Sequence, residues 1–230
     1  MRTDFPPQPW LSGVILAWIT GALFLCPTAG QSQAPGEISS STLVVVNTLP
    51  GPGNLFVKLG PEAIWPPGFT PGQSTGAVVF PSGKKVVEAR CEGFVTSRMD
   101  GELAPKANCA MVFYPGAEVK EGPDKGKRKI GLFQPEPLRG PVKGKNWHII
   151  LVGTMASSSL EINGKTVTLQ PGRAEKIELG GKNFVEVKQG GESILAQSPE
   201  EPGEYWVVVY EAQANKLAAA LLNHLAYPVP

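Results

Sequence analysis

The sequence predicts an all-β protein: two tandem immunoglobulin-like antiparallel β-sandwiches behind an N-terminal signal segment. Three observations carry this expectation. Glycine (27) and proline (23) exceed a fifth of the 230 residues, yet 42% of the chain is apolar. The apolar residues come in short β-branched runs between turn signals, the texture of sandwich strands rather than of a disordered chain. Similar segments recur in the same order in the two halves, and the N-terminus has the three parts of a secretory leader.

The leader reads first. Arg2 precedes an apolar run from Trp10 to Cys26, followed by the small-residue exit Pro27-Thr28-Ala29-Gly30-Gln31. Cleavage after Gly30 is the expected event, which makes residues 1–30 a signal peptide and places the protein outside the cytoplasm, secreted or periplasmic. Asp4 dilutes the positive end. Trp10–Cys26 is also at the short end of the spanning range, so an uncleaved leader is the alternative and would be the chain's one membrane contact. Leu25 is too bulky to precede an acylated Cys26. Residues 31–41 read as a polar, disordered tether.

The repeat occupies residues 42–140 and 147–230. Leu43–Leu49 matches Ile149–Met155, the segment from Pro71 matches that from Pro171, and Pro105–Tyr114 matches Pro202–Glu211. Strands are expected at Leu43–Val46, Leu55–Leu59, Gly76–Phe80, Lys84–Phe94, Ala107–Tyr114 and Lys129–Phe133. Pro71-Gly72 and Ser82-Gly83 provide the sharpest turns between them. In the second copy, Leu160-Glu161-Ile162 leads into Asn163-Gly164, a pair able to hold positive φ and hence a strong hairpin signal. Lys216–Leu225 has high helix propensity but sits where the first copy has Lys129–Phe133, so a last strand is expected there. Trp147 and Trp206 begin strands and are expected to fill the second core.

Val46-Asn47-Thr48-Leu49-Pro50-Gly51, Lys58-Leu59-Gly60, Pro71-Gly72-Gln73 and Phe80-Pro81-Ser82-Gly83 resemble the turn pattern of a bacterial secreted β-sandwich repeat family. Its members order an N-x-S-P turn, a V-x-V-x-G strand and a P-A-G turn. The likeness is weaker in the second copy, where Gly153-Thr154-Met155-Ala156 lacks both the Asn and the Pro. The resemblance implies an exported sandwich, often in tandem, with no assigned activity and no catalytic residues to carry over.

Beyond the leader the cysteines are Cys91 and Cys109, with Asp100 midway between them. A hairpin closing at Met99-Asp100-Gly101 would set them opposite each other at a Cα spacing of about 4.5–5.5 Å, suited to a disulfide. In an oxidising compartment that bond would contribute about 3 kcal/mol.

Balanced charge, 21 Lys+Arg against 20 Asp+Glu, gives no net field for nucleic acid or an anionic membrane. No metal-ligand spacing surrounds His148 or His224, so each reads as a partly buried, hydrogen-bonded histidine, and neither a metal nor a cofactor is expected. Gly72-Gln73-Ser74-Thr75-Gly76 matches a nucleophile-elbow pattern. A proline-rich loop precedes it and a strand follows, where an elbow needs a strand and then a helix. The candidate binding residues are Trp65 and Phe69, stiffened by Pro66-Pro67, and the junction lysines Lys125, Lys127, Lys143 and Lys145. Together these features describe a non-enzymatic structural or adhesive module of the envelope or extracellular space, monomeric or weakly associated. A carbohydrate- or peptide-binding protein using Trp65 and the lysines is the alternative, with an envelope glycan or another envelope protein as partner. A serine hydrolase at Ser74 is the remote alternative.

Overall fold

Seventeen strands and no helix make up the described residues, 39–139 and 144–223 of a computed structural model. The expected signal segment, the tether to residue 38, Lys143 and His224 lie outside them. The first half contains β1 (Ser40–Asn47), β2 (Phe56–Leu59), β3 (Glu62–Ala63), β4 (Val78–Pro81), β5 (Gly83–Arg90), β6 (Phe94–Val95), β7 (Ser97–Leu103), β8 (Asn108–Glu118) and β9 (Arg128–Phe133). The second contains β10 (Lys145–Leu151), β11 (Ser158–Ile162), β12 (Lys165–Leu169), β13 (Glu175–Gly180), β14 (Val185–Gln189), β15 (Glu192–Gln197), β16 (Gly203–Gln213) and β17 (Lys216–Asn223).

Each half builds two sheets from its own strands. The first half has sheets ordered β4-β1-β8-β9-β6 and β3-β2-β5-β7; the second has β13-β10-β16-β17 and β12-β11-β14-β15. The second half thus repeats the strand order of the first, without a counterpart of β6.

Side-chain parity explains how the four sheets stack. Leu43 and Val45 of β1, with Cys109, Met111 and Phe113 of β8, face the core of the first sandwich. Trp147, Ile149 and Leu151 of β10, with Tyr205, Val207 and Val209 of β16, face that of the second. The residues between them point the other way. Val44, Val46, Ala110 and Val112 meet Ile150, Val152, Trp206 and Val208 in a third core, shared by the two halves. The order is therefore outer sheet, core, inner sheet, seam, inner sheet, core, outer sheet, and the described residues of the two halves belong to one compact unit.

The sequence texture follows from this stacking. Strands covered on both faces read as unbroken apolar runs: Leu43-Val44-Val45-Val46, Ala110–Phe113, Ile149–Val152 and Val207–Val209 are all buried. Strands with one wet face alternate, as in β7, where Gly101 and Leu103 are buried and Arg98, Asp100 and Glu102 are exposed. Asn47 and Thr48, polar residues taken inside, are bonded. Asn47 donates Nδ2 to Phe69 O at 2.7 Å and accepts Leu49 N–H at 2.9 Å, while Thr48 Oγ1 donates to Phe113 O at 2.6 Å, so their burial leaves no orphan cost.

Asn163 (φ 48°) and Gly164 (φ 79°) close the β11–β12 hairpin through Ile162 and Lys165, the type I′ conformation that only such residues hold cheaply. Residues 216–223 are strand, as expected against their helix propensity, because β16 offers an antiparallel ladder from Tyr205 to Gln213, with one bulge between Glu211 and Gln213.

Several expectations are corrected. The pairing is not wholly antiparallel: β1 runs parallel to β8 and β10 parallel to β16, while their other neighbours are antiparallel. Ser40 and Ser41, assigned to the tether, begin β1. Lys84–Phe94 is not one strand; β5 stops at Arg90, and a turn precedes β6. Met99-Asp100-Gly101 is no turn but the centre of β7, paired with Val87, Val86 and Lys85. The hairpin that would join Cys91 to Cys109 therefore does not exist, and both are free, buried thiols. Cys91 follows β5 of the outer sheet and Cys109 lies on β8 of the inner one. Trp147 fills the second core, but Trp206 belongs to the seam. Matching Pro105–Tyr114 to Pro202–Glu211 put Trp206 opposite Cys109, one residue out of step. The ladders pair Leu43 with Cys109 and Ile149 with Val207, and a one-residue slip turns every side chain to the other face.

The turns of each half also fasten the seam. A side chain at Gly72 (φ 78°) would reach within 2.2 Å of the Tyr210 hydroxyl, and one at Gly172 (φ 72°) within 3.1 Å of Gly116 O. The Arg128 guanidinium donates to Gly116 O at 2.9 Å in its own half and to Met155 O at 3.0 Å in the other.

Truncating Trp206, 2% exposed at the seam, should cost about 3–5 kcal/mol, read from the urea midpoint of Trp206→Ala. Phe184→Ala, at a side chain 49% exposed, should change stability by less than about 0.5 kcal/mol. Equal effects would contradict the seam packing.

Candidate functional site

Among the described residues a concavity follows a strand edge. Strand β7 ends its sheet, so one row of its peptide groups has no strand partner. Along it run three contiguous hollows of about 460, 430 and 380 Å³, walled by β7, β9 and the segment after β9; Gln134 borders all three.

Gln134 acts here as a fragment of a missing strand. Its Oε1 accepts the Glu102 N–H and its Nε2 donates to the Glu102 carbonyl, both at 3.2 Å. That is the two-bond exchange of an opposed antiparallel pair. It also shows that both peptide groups of Glu102 turn away from β5. Because orientation alternates along a strand, those of Asp100 and Arg98 face the same open side. Among the described residues no side chain does for Arg98 and Asp100 what Gln134 does for Glu102.

The walls give this groove mixed character. Lys84, Lys85 and Lys129 supply positive charge, Asp100 and Glu102 negative, and the Tyr114 ring an apolar floor. Tyr114 lies over Gly131, its partner across the β8–β9 ladder, so closely that a side chain there would come within 2.5 Å of the ring. Glycine at 131 thus lets the ring lie flat. Burial raises the Tyr114 hydroxyl pKa, keeping it a neutral hydrogen-bonding group at ordinary pH. Such a surface can hydrogen-bond an extended polypeptide along its backbone.

The residues singled out from sequence do not gather at this groove. Trp65 is 50% exposed in the turn after β3, its carbonyl accepting Gly68 N–H at 2.9 Å. Phe69 is only 1% exposed; it bridges Leu55 within the first core and is not a contact surface. Its apolar ring is worth more buried than displayed. Lys125 and Lys127 are exposed in the β8–β9 connection, where Lys127 pairs with Asp124 at 2.9 Å. Lys145 is half-buried at the start of β10, and Lys143 lies outside the described residues. Ser74 is exposed, bridges Val46, and leads into strand β4, so no helix follows it to form an elbow.

His148 is half-buried on β10. Its Nε2 bonds the Glu204 carboxylate, and its Nδ1 lies 3.9 Å from Glu178, which also pairs with Lys176 at 2.8 Å. The Lys176 hydrogen bond and charge hold the Glu178 carboxyl below its usual range. Among the described residues no group of His, Cys, Asp and Glu is arranged to hold a metal. No family model matches the chain, and no curated protein is similar to it.

The groove left a trace in the sequence. Ser97–Leu103 alternates polar and apolar residues as a half-buried strand does, but Asp100-Gly101 inside it also reads as a turn. Gln134 left none, because a side chain that imitates backbone has no sequence signature.

Burial, reinforced by the negative charge of Glu92, pushes the Cys91 thiol from 9.0 up to about 11. The unfolded thiol therefore ionises at a pH where the folded one keeps its proton. This contribution to stability is intact below pH 9.0 and is lost as pH rises from there to about 11. In urea titrations Cys91→Ala should show a shallower loss over that window. Native protein at neutral pH should react with a thiol reagent at neither Cys91 nor Cys109 until it is unfolded.

Proposed function

We propose that this chain is a non-enzymatic, exported structural or adhesive module that works by holding an extended segment of another envelope polypeptide along β7. The observation that carries this reading is the open peptide row of Arg98 and Asp100, beside a groove where Gln134 already completes one step of a strand ladder. Backbone pairing of this kind gives affinity, and the charged and apolar walls give choice of side chains. The apolar layers below β7 anchor it, as adhesion requires of a surface that must bear a partner without yielding. The arrangement of the two halves, with one strand order used twice, supports a duplicated sandwich. The resemblance to a secreted bacterial repeat family and the leader-like N-terminus support export.

One observation favours a second reading. Trp65 is half-exposed on a turn stiffened by Pro66 and Pro67, and a rigid exposed indole suits a sugar face.

The two readings separate in one set of measurements. Across an array of extended peptides of about ten residues, binders should protect the Arg98 and Asp100 amides from exchange. Asp100→Pro, which removes an outward N–H, should weaken them by about tenfold. Quenching of tryptophan fluorescence by soluble envelope glycans, lost in Trp65→Ala, would favour the sugar reading instead. Labelling by a fluorophosphonate that Ser74→Ala abolishes would overturn both.

A further inference from the structure

Strand β17 ends the inner sheet of the second half, and it is blunted less than any other edge strand among the described residues. Strands β3 and β6 have two residues each, and β4 is short and ends in Pro81. Charged residues punctuate β7 (Arg98, Asp100 and Glu102) and β13 (Glu175, Lys176 and Glu178), while β12 and β15 have one charge each, Lys165 and Glu192, and are shorter than β17, at five and six residues. These are the usual devices against edge-to-edge pairing. The eight residues of β17, Lys-Leu-Ala-Ala-Ala-Leu-Leu-Asn, have one charge, at the first position.

In the first half a short strand covers the beginning of the corresponding edge. The first two residues of β9, which occupies the place of β17, pair in parallel with β6 through Phe94–Arg128 and Val95–Lys129. Where β6 branches off between β5 and β7, the second half has only the Gly190-Gly191 turn. The Gln189 side chain supplies one step in its place. Its Nε2 donates to Asn215 O at 2.9 Å and its Oε1 accepts Leu217 N–H at 2.8 Å, the offset bonding of a parallel neighbour. The outward turn of Leu217 puts the peptide groups of Ala219 and Leu221 on the open side too. The opposite side of the ladder agrees: Val209, paired with Ala219, gives its carbonyl to Val152 N–H and not to β17.

We propose that this edge pairs with the β17 edge of a second copy, antiparallel about a two-fold axis at Ala220. In that register Ala219 of each copy faces Leu221 of the other, and both pairs exchange two hydrogen bonds. Every partner is an outward group, and Leu217 keeps its bond to Gln189. The two four-stranded sheets become one continuous sheet. The antiparallel sense carries the two Lys216 residues to opposite ends of the pair, so the only charges on the edge do not meet. A second copy fits better than an unrelated strand because the edge is complementary to itself in hydrogen bonding, size and charge, and isologous pairing needs nothing more.

Sedimentation equilibrium of the full chain, at concentrations up to about 50 μM, tests this. A dimer is expected, weakened about tenfold or more by Ala219→Pro, which deletes one outward N–H per copy and leaves the β16 ladder intact. Ala220→Cys should form a symmetric intermolecular disulfide under mild oxidant, since opposed residues at a non-hydrogen-bonded position lie about 4.5 Å apart. This cross-link decides the matter should the proline variant fail to fold. A monomeric wild type overturns the proposal, whatever other strand the edge then takes. So does a dimer indifferent to Ala219→Pro, or an Ala220→Cys chain that cross-links no more than wild type.

Discussion

Everything in this molecule depends on the contact between the two inner sheets. Val44, Val46, Ala110 and Val112 on one side, and Ile150, Val152, Trp206 and Val208 on the other, bury a second face on strands whose first face already lines a sandwich core. A sandwich alone would present those side chains to water as one contiguous apolar patch, larger than soluble surfaces ordinarily tolerate. The seam removes that patch from both halves at once. It also explains why β1, β8, β10 and β16 have hardly any charge along their centres, while the outer strands alternate.

With both faces of the inner sheets consumed, the surface left for recognition is of two kinds: the wet faces of the outer sheets, and strand edges. The edges are the more distinctive. At two of them a glutamine carboxamide takes the place of a neighbouring strand, Gln134 on β7 and Gln189 on β17, with antiparallel bonding in one case and parallel bonding in the other. A single amide satisfies one step of a ladder and leaves the next steps open. The chain thus keeps its edges ordered without closing them, which suits a module that joins to other strands.

Much of this fold was legible in the amino acids, and the reasons are local. Asn163-Gly164 closes a hairpin because both residues accept positive φ, and the unbroken runs at Leu43–Val46 and Ile149–Val152 announced the inner strands. The β17 assignment rested on position against propensity, and the β16 ladder justified it. What was not legible depended on faces. Trp206 went to the wrong core because one step along a strand reverses a side chain, and no pattern within Trp206–Val209, apolar on both sides, could fix its parity. Cys91 and Cys109 looked bridgeable only while Asp100-Gly101 was taken for a turn. Of the two aromatic binding candidates, Trp65 is half-exposed, but Phe69 is core. The β7 groove went unnoticed, because its chemistry belongs to the backbone and to one glutamine that imitates it.

The seam makes the two sandwiches one thermodynamic unit. Differential scanning calorimetry of the intact chain tests it most directly, by comparing the calorimetric and van't Hoff enthalpies of unfolding. A single transition with the two enthalpies equal is expected. Two separable transitions, each with the enthalpy of one sandwich, would contradict it.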